Sequence, residues 1–409
     1  MRWLAVVGLL AACGGADDGA RWTGTMDTLP NGAVRVTNPS RGVWEGGRPW
    51  RLSPTLVLGE ADGPEATVFG AISGLEVDRA GRIYVLDRQA NELRIFTPDG
   101  THVRSVGREG GGPGEYSNAN GLRWLTSDTL VVVDQRANRY TILTAEGAYV
   151  RIVPRALGFF GWVLFGGIDG GRIYERWYLG PEGEERLALL GTALQERVVP
   201  LEAPRVAAAD SAVLLGSEPD TVVLPAMAGP LYEAFSVQTE RGGMSMGVPF
   251  APEPVFHLDG RGSIWHGHGS AFRILRSSLA GDTLAEILLD VAPAPVTADE
   301  LAAWETSEDV KQFRDMGGRI DLDRLPKTKP FFEGLYVDPD GYLWVSEPAG
   351  AAEVVFRVFD PEGRYLGPLQ LTGMSYYNYA PMVVRGDRLH LIGRDELDVQ
   401  RVYVFKIQR

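Results

Sequence analysis

The stretch VDRAGRIYVLDRQANELRIFTPDG begins at Val77, and WLTSDTLVVVDQRANRYTILTAEG begins at Trp124. Gly81, Arg82 and Ile83 align with Asp128, Thr129 and Leu130 at a spacing of 47 residues. At the same spacing the run from Asp87 to Asn91 meets the run from Asp134 to Asn138, and Asp99 and Gly100 meet Glu146 and Gly147. Between these turn signals lie short segments of Val, Ile, Leu and Tyr, the chemistry of strands bounded by tight turns. A repeat of about 40–50 residues that carries four strands is a propeller blade.

The phrase returns in more diverged form at GIDGGRIYERWY, HLDGRGSIWHGHG, YVDPDGYLWVSE and VVRGDRLHLIG, centred on Ile173, Ile264, Leu343 and Leu389. The six centres are separated by 47, 43, 91, 79 and 46 residues, so six blades are expected, with room in the two long gaps for a seventh. The last unit stops at Arg409 after three strands, while PTLVLGEADGPEATVFGAISGL, from Pro54, reads as a fourth strand with no first three before it. Residues 52–58 should therefore complete the last blade, close the ring and leave no open edge between blades. GAVRVT, at 32–37, is expected as one more strand outside that closing strand. The predicted fold is all-β: a six-bladed propeller of four-stranded antiparallel blades over 29–409, closed by an N-terminal strand, with one helical insertion between the fourth and fifth blades.

GREGGGPGEY from Gly107, NGLRW from Asn120 and DTLVVVDQRANRYTIL from Asp128 are similar to the NHL repeat. The whole chain resembles a six-bladed β-propeller lipoprotein of bacteria. That resemblance implies a fold more than a function, because NHL propellers include scaffolds, sensors and enzymes.

The first residues add a compartment. Met1 and Arg2 form a minimal positive region before a short apolar run at 3–10, too short for a bilayer-spanning helix of about 20 residues. Leu10, Ala11, Ala12 and Cys13 resemble the bacterial lipobox, which implies a signal peptide at 1–12, lipidation of Cys13 and a flexible tether at 13–28. Gly14 stands where aspartate would signal retention at the inner membrane, so the expected location is the outer membrane, facing the periplasm or the surface. Cys13 is the sole cysteine, which excludes a disulfide framework. A net charge of −13 argues against nucleic acid.

Two insertions interrupt the blade pattern. In 202–250, DSAVLLGSEPDTVVL reads as a hairpin and GGMSMGVPFAPEP as a loop; in 292–330, Thr297 and Glu300 form a capping box that opens a helix ending at Gly317 and Gly318. Lying between blades, both should sit on the face where ligands are bound in such folds, the helix acting as a lid or only filling surface.

Repetition separates structure from specificity. Phe69, Tyr116, Phe160, Phe250, Phe332 and Tyr379 precede the first strand of every blade and read as wedges between blades. The ends of the second strands differ instead: Asp87, Asp134, Trp177, His268, Glu347 and Gly393. The first five are the ligand-binding candidates, with the competing reading that Asp87 and Asp134 cap the turns containing Asn91 and Asn138. His266 and His268 share a strand face and His257 lies on the preceding strand, but no third ligand at zinc geometry is visible. GREGGGPGEY lacks the Gly-Lys-Ser/Thr ending of a phosphate loop and reads as a blade connection. The expected function is an envelope lipoprotein that binds a protein, peptide or glycan on the top face of the propeller, with no catalytic residues and no cofactor. The rival is a metal-dependent hydrolase or lyase, as in calcium-dependent six-bladed lactonases or amidating lyases, with a divalent cation such as calcium held by Asp87, Asp134, Glu347 and His268.

Overall fold

Six four-stranded antiparallel blades succeed one another along the chain, each beginning with its innermost strand. The computed structural model describes residues 21–155, 233–239, 242–348, 353–376 and 381–409, together with the backbone of Leu164–Gly167, Arg172–Leu179, Arg186–Ala193 and Asp220–Val223. The signal peptide, Cys13, Phe160 and Tyr379 lie outside the described residues. The innermost strands are Ile72–Val77, Ala119–Trp124, Leu164–Gly167, Pro254–Leu258, Gly334–Val337 and Met382–Arg385. Burial falls from hub to rim: Ile83–Asp87, the second strand of the first blade, is buried throughout, whereas four of the five residues of its fourth strand, His102–Val106, are exposed.

The repeated phrase is a turn device. In the first, fourth and fifth blades an aspartate closes the turn between strands one and two: Asp78, Asp259 and Asp338 accept the backbone N–H four residues on, from Arg82, Ser263 and Tyr342. Their second oxygens accept from Tyr84 Oη, Trp265 Nε1 and Trp344 Nε1, six residues on. Gly81, Gly262 and Gly341 hold φ near 84°, 84° and 96° in these turns, a conformation that only glycine adopts at little cost. The strands then pack blade to blade. Phe69 joins Leu75, Val383 and Val402 between the first and sixth blades, Tyr116 joins Leu86 and Leu122 between the first and second, and Phe332 joins Trp265 and Val345 between the fourth and fifth. These three aromatics act as the expected wedges. Gly74 lets neighbouring strands approach, since a Cβ there would sit 2.5 Å from Leu122 Cβ.

The ring closes where expected. Arg51–Leu58 pairs antiparallel with Gln400–Gln408, from Val402 opposite Leu58 to Gln408 opposite Arg51. The strand before it does not lie outside this pair. Val34–Asn38 pairs in parallel with Thr283–Leu289 on the rim of the fourth blade, and Thr25–Thr28, in the segment read as tether, pairs antiparallel on Val34–Asn38. The chain then crosses the fifth blade to reach the sixth. Asn38, fully buried, fixes the departure: its Oδ1 accepts from Tyr365 N, and its Nδ2 donates to the carbonyls of Leu288 and Gly363. Trp44 packs over Gly367, and Trp50 lies 4.8 Å from the Tyr342 ring and 6.0 Å from the Trp344 ring, centroid to centroid. Asparagine and tryptophan side chains dock this strap, a preference that no strand periodicity encodes.

The insertions also differ in detail from expectation. Asp220–Val223, read as part of a hairpin, is the fourth strand of the third blade; residues 211–219 lie outside the described residues. Gly242–Gly247, read as a loop, is a strand paired with Ala234–Thr239. The single helix is two, Ala298–Glu305 and Glu308–Asp315, because the Ser307 side chain accepts from Val310 N and starts the second. A serine hydroxyl satisfies the orphan amides of a new helix better than it continues an old one. Hairpin and second helix pack on each other through Phe235, Met246, Val248, Val310 and Phe313.

Candidate functional site

The innermost strands of the first, second, fourth, fifth and sixth blades line a cavity of about 680 Å³, reached from both insertions: Val248 and Phe250 follow the hairpin and line it, as do Pro330 and Phe332 after the helices. Phe250, expected as a wedge, is only partly buried and borders the cavity with φ near 59°.

One level of this channel carries its chemistry. Glu76, Arg123, His257 and Tyr336 are the penultimate residues of their innermost strands. Each pairs with the second-strand residue of the same rank, Tyr84, Val131, Trp265 and Trp344. In the sixth blade that rank falls to Val383, opposite His390, and Arg385 follows two residues on. All of these innermost-strand residues line the cavity. Because side chains of a strand alternate in direction, equal rank in equivalent blades places them around one rung.

The rung is electrostatically tense. Glu76 and Arg123 form an ion pair at 3.3 Å, and Arg123 Nη1 also donates to Leu122 O. Burial pushes the Glu76 carboxyl above its ordinary value of 4.5, against the opposing pull of Arg123 and Arg385. His257 is held down to about 4, first by burial and then by the Arg123 charge, so its ring is neutral at pH 7. The Tyr336 hydroxyl accepts from Val384 N at 2.9 Å and is pushed up, mainly by burial. Arg385 Nη2 donates to Val77 O at 3.0 Å; among the described residues no carboxylate pairs with it, and its Nε has no hydrogen-bond partner.

The residues expected at the ends of the second strands are engaged elsewhere. Asp87 accepts from the amides of Gly70, Ala71, Gln89 and Ala90 and faces Arg94 at 3.5 Å. Asp134 repeats the arrangement with Ser117, Asn118, Ala137 and, at 3.4 Å, Arg139. Both cap their turns, as the competing reading held, and Asn91 and Asn138 occupy the left-handed positions with φ near 55° and 51°. Arg139 also grips the glycine-rich connection through the carbonyls of Gly111 and Glu115. Glu347 is ion-paired with Arg357. His268 is buried, its Nδ1 within hydrogen-bond distance of both Ser270 Oγ and Ser270 N. Trp177 lies on Arg172–Leu179, whose side chains are outside the described residues. Asp87 and Asp134 are spent on amides and an arginine, Glu347 on Arg357 and His268 Nδ1 on Ser270, an arrangement that does not fit one cation shared by the four. Nor, among the described residues, do three His, Cys, Asp or Glu side chains converge as metal ligands. His266, buried against Ser277 Oγ at 2.9 Å, is held down to about 4 chiefly by burial.

The rung could have been found in the sequence. Glu76 and Arg123 stand 47 residues apart, in register with the repeat, yet carry opposite charges. The filter applied to the second strands, applied to the first, selects them.

Residues 63–144 match a family model described as a 6-bladed beta-propeller. No curated protein sequence matches the chain. Among solved structures, a protein of Bacteroides fragilis described as exported is similar at 10% identity, covering 92% of this chain and 100% of its own, with a TM-score of 0.47. A Bacteroides vulgatus protein from a family of unknown function is similar at 13% identity over 88% of this chain and 99% of its own, with a TM-score of 0.48. Virginiamycin B lyase from Staphylococcus aureus is similar at 11% identity over 88% and 99%, with a TM-score of 0.41. The family match and the blade topology agree: the chain is a six-bladed β-propeller.

Proposed function

We propose that this chain is a lipid-anchored envelope protein whose propeller works as a binding module, with the central channel as its ligand seat. The occupant is a small molecule or the end of an envelope peptide, protein segment or glycan. One observation carries the reading: in a frame that otherwise repeats itself, Glu76, Arg123, His257 and Tyr336 set four different chemistries at one rank around one cavity. A volume of about 680 Å³ falls within the range of about 300–1,000 Å³ typical of small-molecule sites. The sequence Leu10, Ala11, Ala12 and Cys13 supports the anchor.

A thermal-shift screen of amino acids, short peptides and sugars tests the seat. A ligand at about one hundred times its Kd should stabilise the fold by about 2.7 kcal/mol. That gain is expected to vanish in His257→Leu and Tyr336→Leu and to persist in Val103→Ser on the exposed rim. A ligand kept by both channel variants would remove the channel from consideration.

A further inference from the structure

Charge in the channel is unevenly placed. Among the described residues, Arg123 and Arg385 stand at or beside the rung with Glu76 as the one carboxylate on it, and Glu76 is ion-paired with Arg123. Arg385 therefore presents to the cavity a guanidinium that, among the described residues, donates to a neutral carbonyl, that of Val77, and to no carboxylate. Three further carboxylates line the cavity. Asp259 is spent on its turn, accepting from Arg261 N, Ser263 N and Trp265 Nε1. Glu253 and Glu333 immediately precede the innermost strands Pro254–Leu258 and Gly334–Val337, at the opposite end of the channel. At about 3.3 Å of rise per residue, Glu333 stands about 10 Å from the level of Tyr336. The wall between these levels is apolar or aromatic: Val255, Leu335, Tyr376 and Met382.

Guanidinium forks match carboxylates in shape as well as charge, and their bonds strengthen where water is excluded. We infer that the channel takes an organic acid with a flat apolar body, its carboxylate docked on Arg385 and Arg123 and its body along Tyr336 and Tyr376. The assignment rests on the channel being the ligand seat. Glu76 then acts as a resident counter-charge that competes with the ligand for Arg123, which gives the assignment a sign: removing that carboxylate should help the ligand, where a cation site would be harmed.

Calorimetric titration of the full chain with phenylacetate, phenylacetamide and phenethylamine reads that sign directly. Phenylacetate alone should bind. Arg385→Gln should weaken it at least about tenfold, as expected for a lost charge-assisted contact, and Arg385→Lys should recover part of the loss. Glu76→Gln should tighten it. Circular dichroism establishes that each variant is folded, and the lysine variant keeps the test valid should the glutamine variant unfold. Binding of the amine or the amide that Tyr336→Leu abolishes would leave the channel as the seat and overturn the acid assignment. Phenylacetate binding unaltered by any channel substitution would overturn both. Weaker binding in Glu76→Gln, or no binding of any of the three probes, also overturns the assignment.

Discussion

At the residue scale, the same side-chain type serves opposite ends depending on what surrounds it. Asp87 and Asp134 read in the sequence either as ligand donors, being carboxylates at the ends of strands, or as caps of the turns that follow. In the fold each is almost fully buried and surrounded by backbone amides and an arginine. Removing one member of a buried pair leaves an uncompensated charge and costs about 3–5 kcal/mol. Asp87→Ala, which would strand the buried Arg94 and four amides, should lower stability by that order in a urea titration. A loss below about 1 kcal/mol, the scale of an exposed ion pair, would show that the turn does not depend on the carboxylate. Glu76 is the contrasting case: also buried, it faces the channel instead of its own turn and is ion-paired with Arg123.

At the element scale, the two insertions form one body. The hairpin strands Ala234–Thr239 and Gly242–Gly247 are stabilised by the second helix, and Phe313, fully buried, is the side chain they share. Large-to-small substitution of a buried phenylalanine costs about 3–5 kcal/mol. Because this cluster is separate from the cores between blades, Phe313→Ala should act locally. Hydrogen-exchange protection should collapse in Glu308–Asp315 and Gly242–Gly247 while the blade strands keep theirs. Equal loss of protection in Ile83–Asp87 would show that the insertions are continuous with the ring.

At the scale of the whole molecule, the N-terminal segment does two separable jobs. Val34–Asn38 extends the fourth blade, and Arg51–Leu58 completes the sixth. Deleting residues up to 47 should lower the melting temperature but leave a monomer, since the closing pair survives. Deleting residues up to 58 exposes the full edge of Gln400–Gln408, a template for pairing with other chains. The longer deletion should aggregate or dimerise on size-exclusion chromatography. A monomeric, cooperatively melting product would show that the ring holds without its closing strand.

The sequence by itself determined the blades and their closure, with six the expected number and room for a seventh, because each depends on short-range signals that recur: an aspartate–glycine turn, a β-branched run, a register of 47 residues. It also held the channel rung, visible in Glu76 and Arg123 to anyone comparing first strands. The break at Ser307 is a local cap onto Val310 N, whereas the route of the strap across the fifth blade and the packing of hairpin on helix were decided by tertiary structure alone. They rest on Asn38, Trp44 and Phe313 meeting partners that are distant in the chain, such as Tyr365, Gly367 and Phe235. The same holds for the fate of each carboxylate. Whether an aspartate is a free ligand or a spent cap depends on which amides and guanidiniums the fold brings within about 3 Å of it, and hydrogen bonding is too short in range for a pattern along the chain to record.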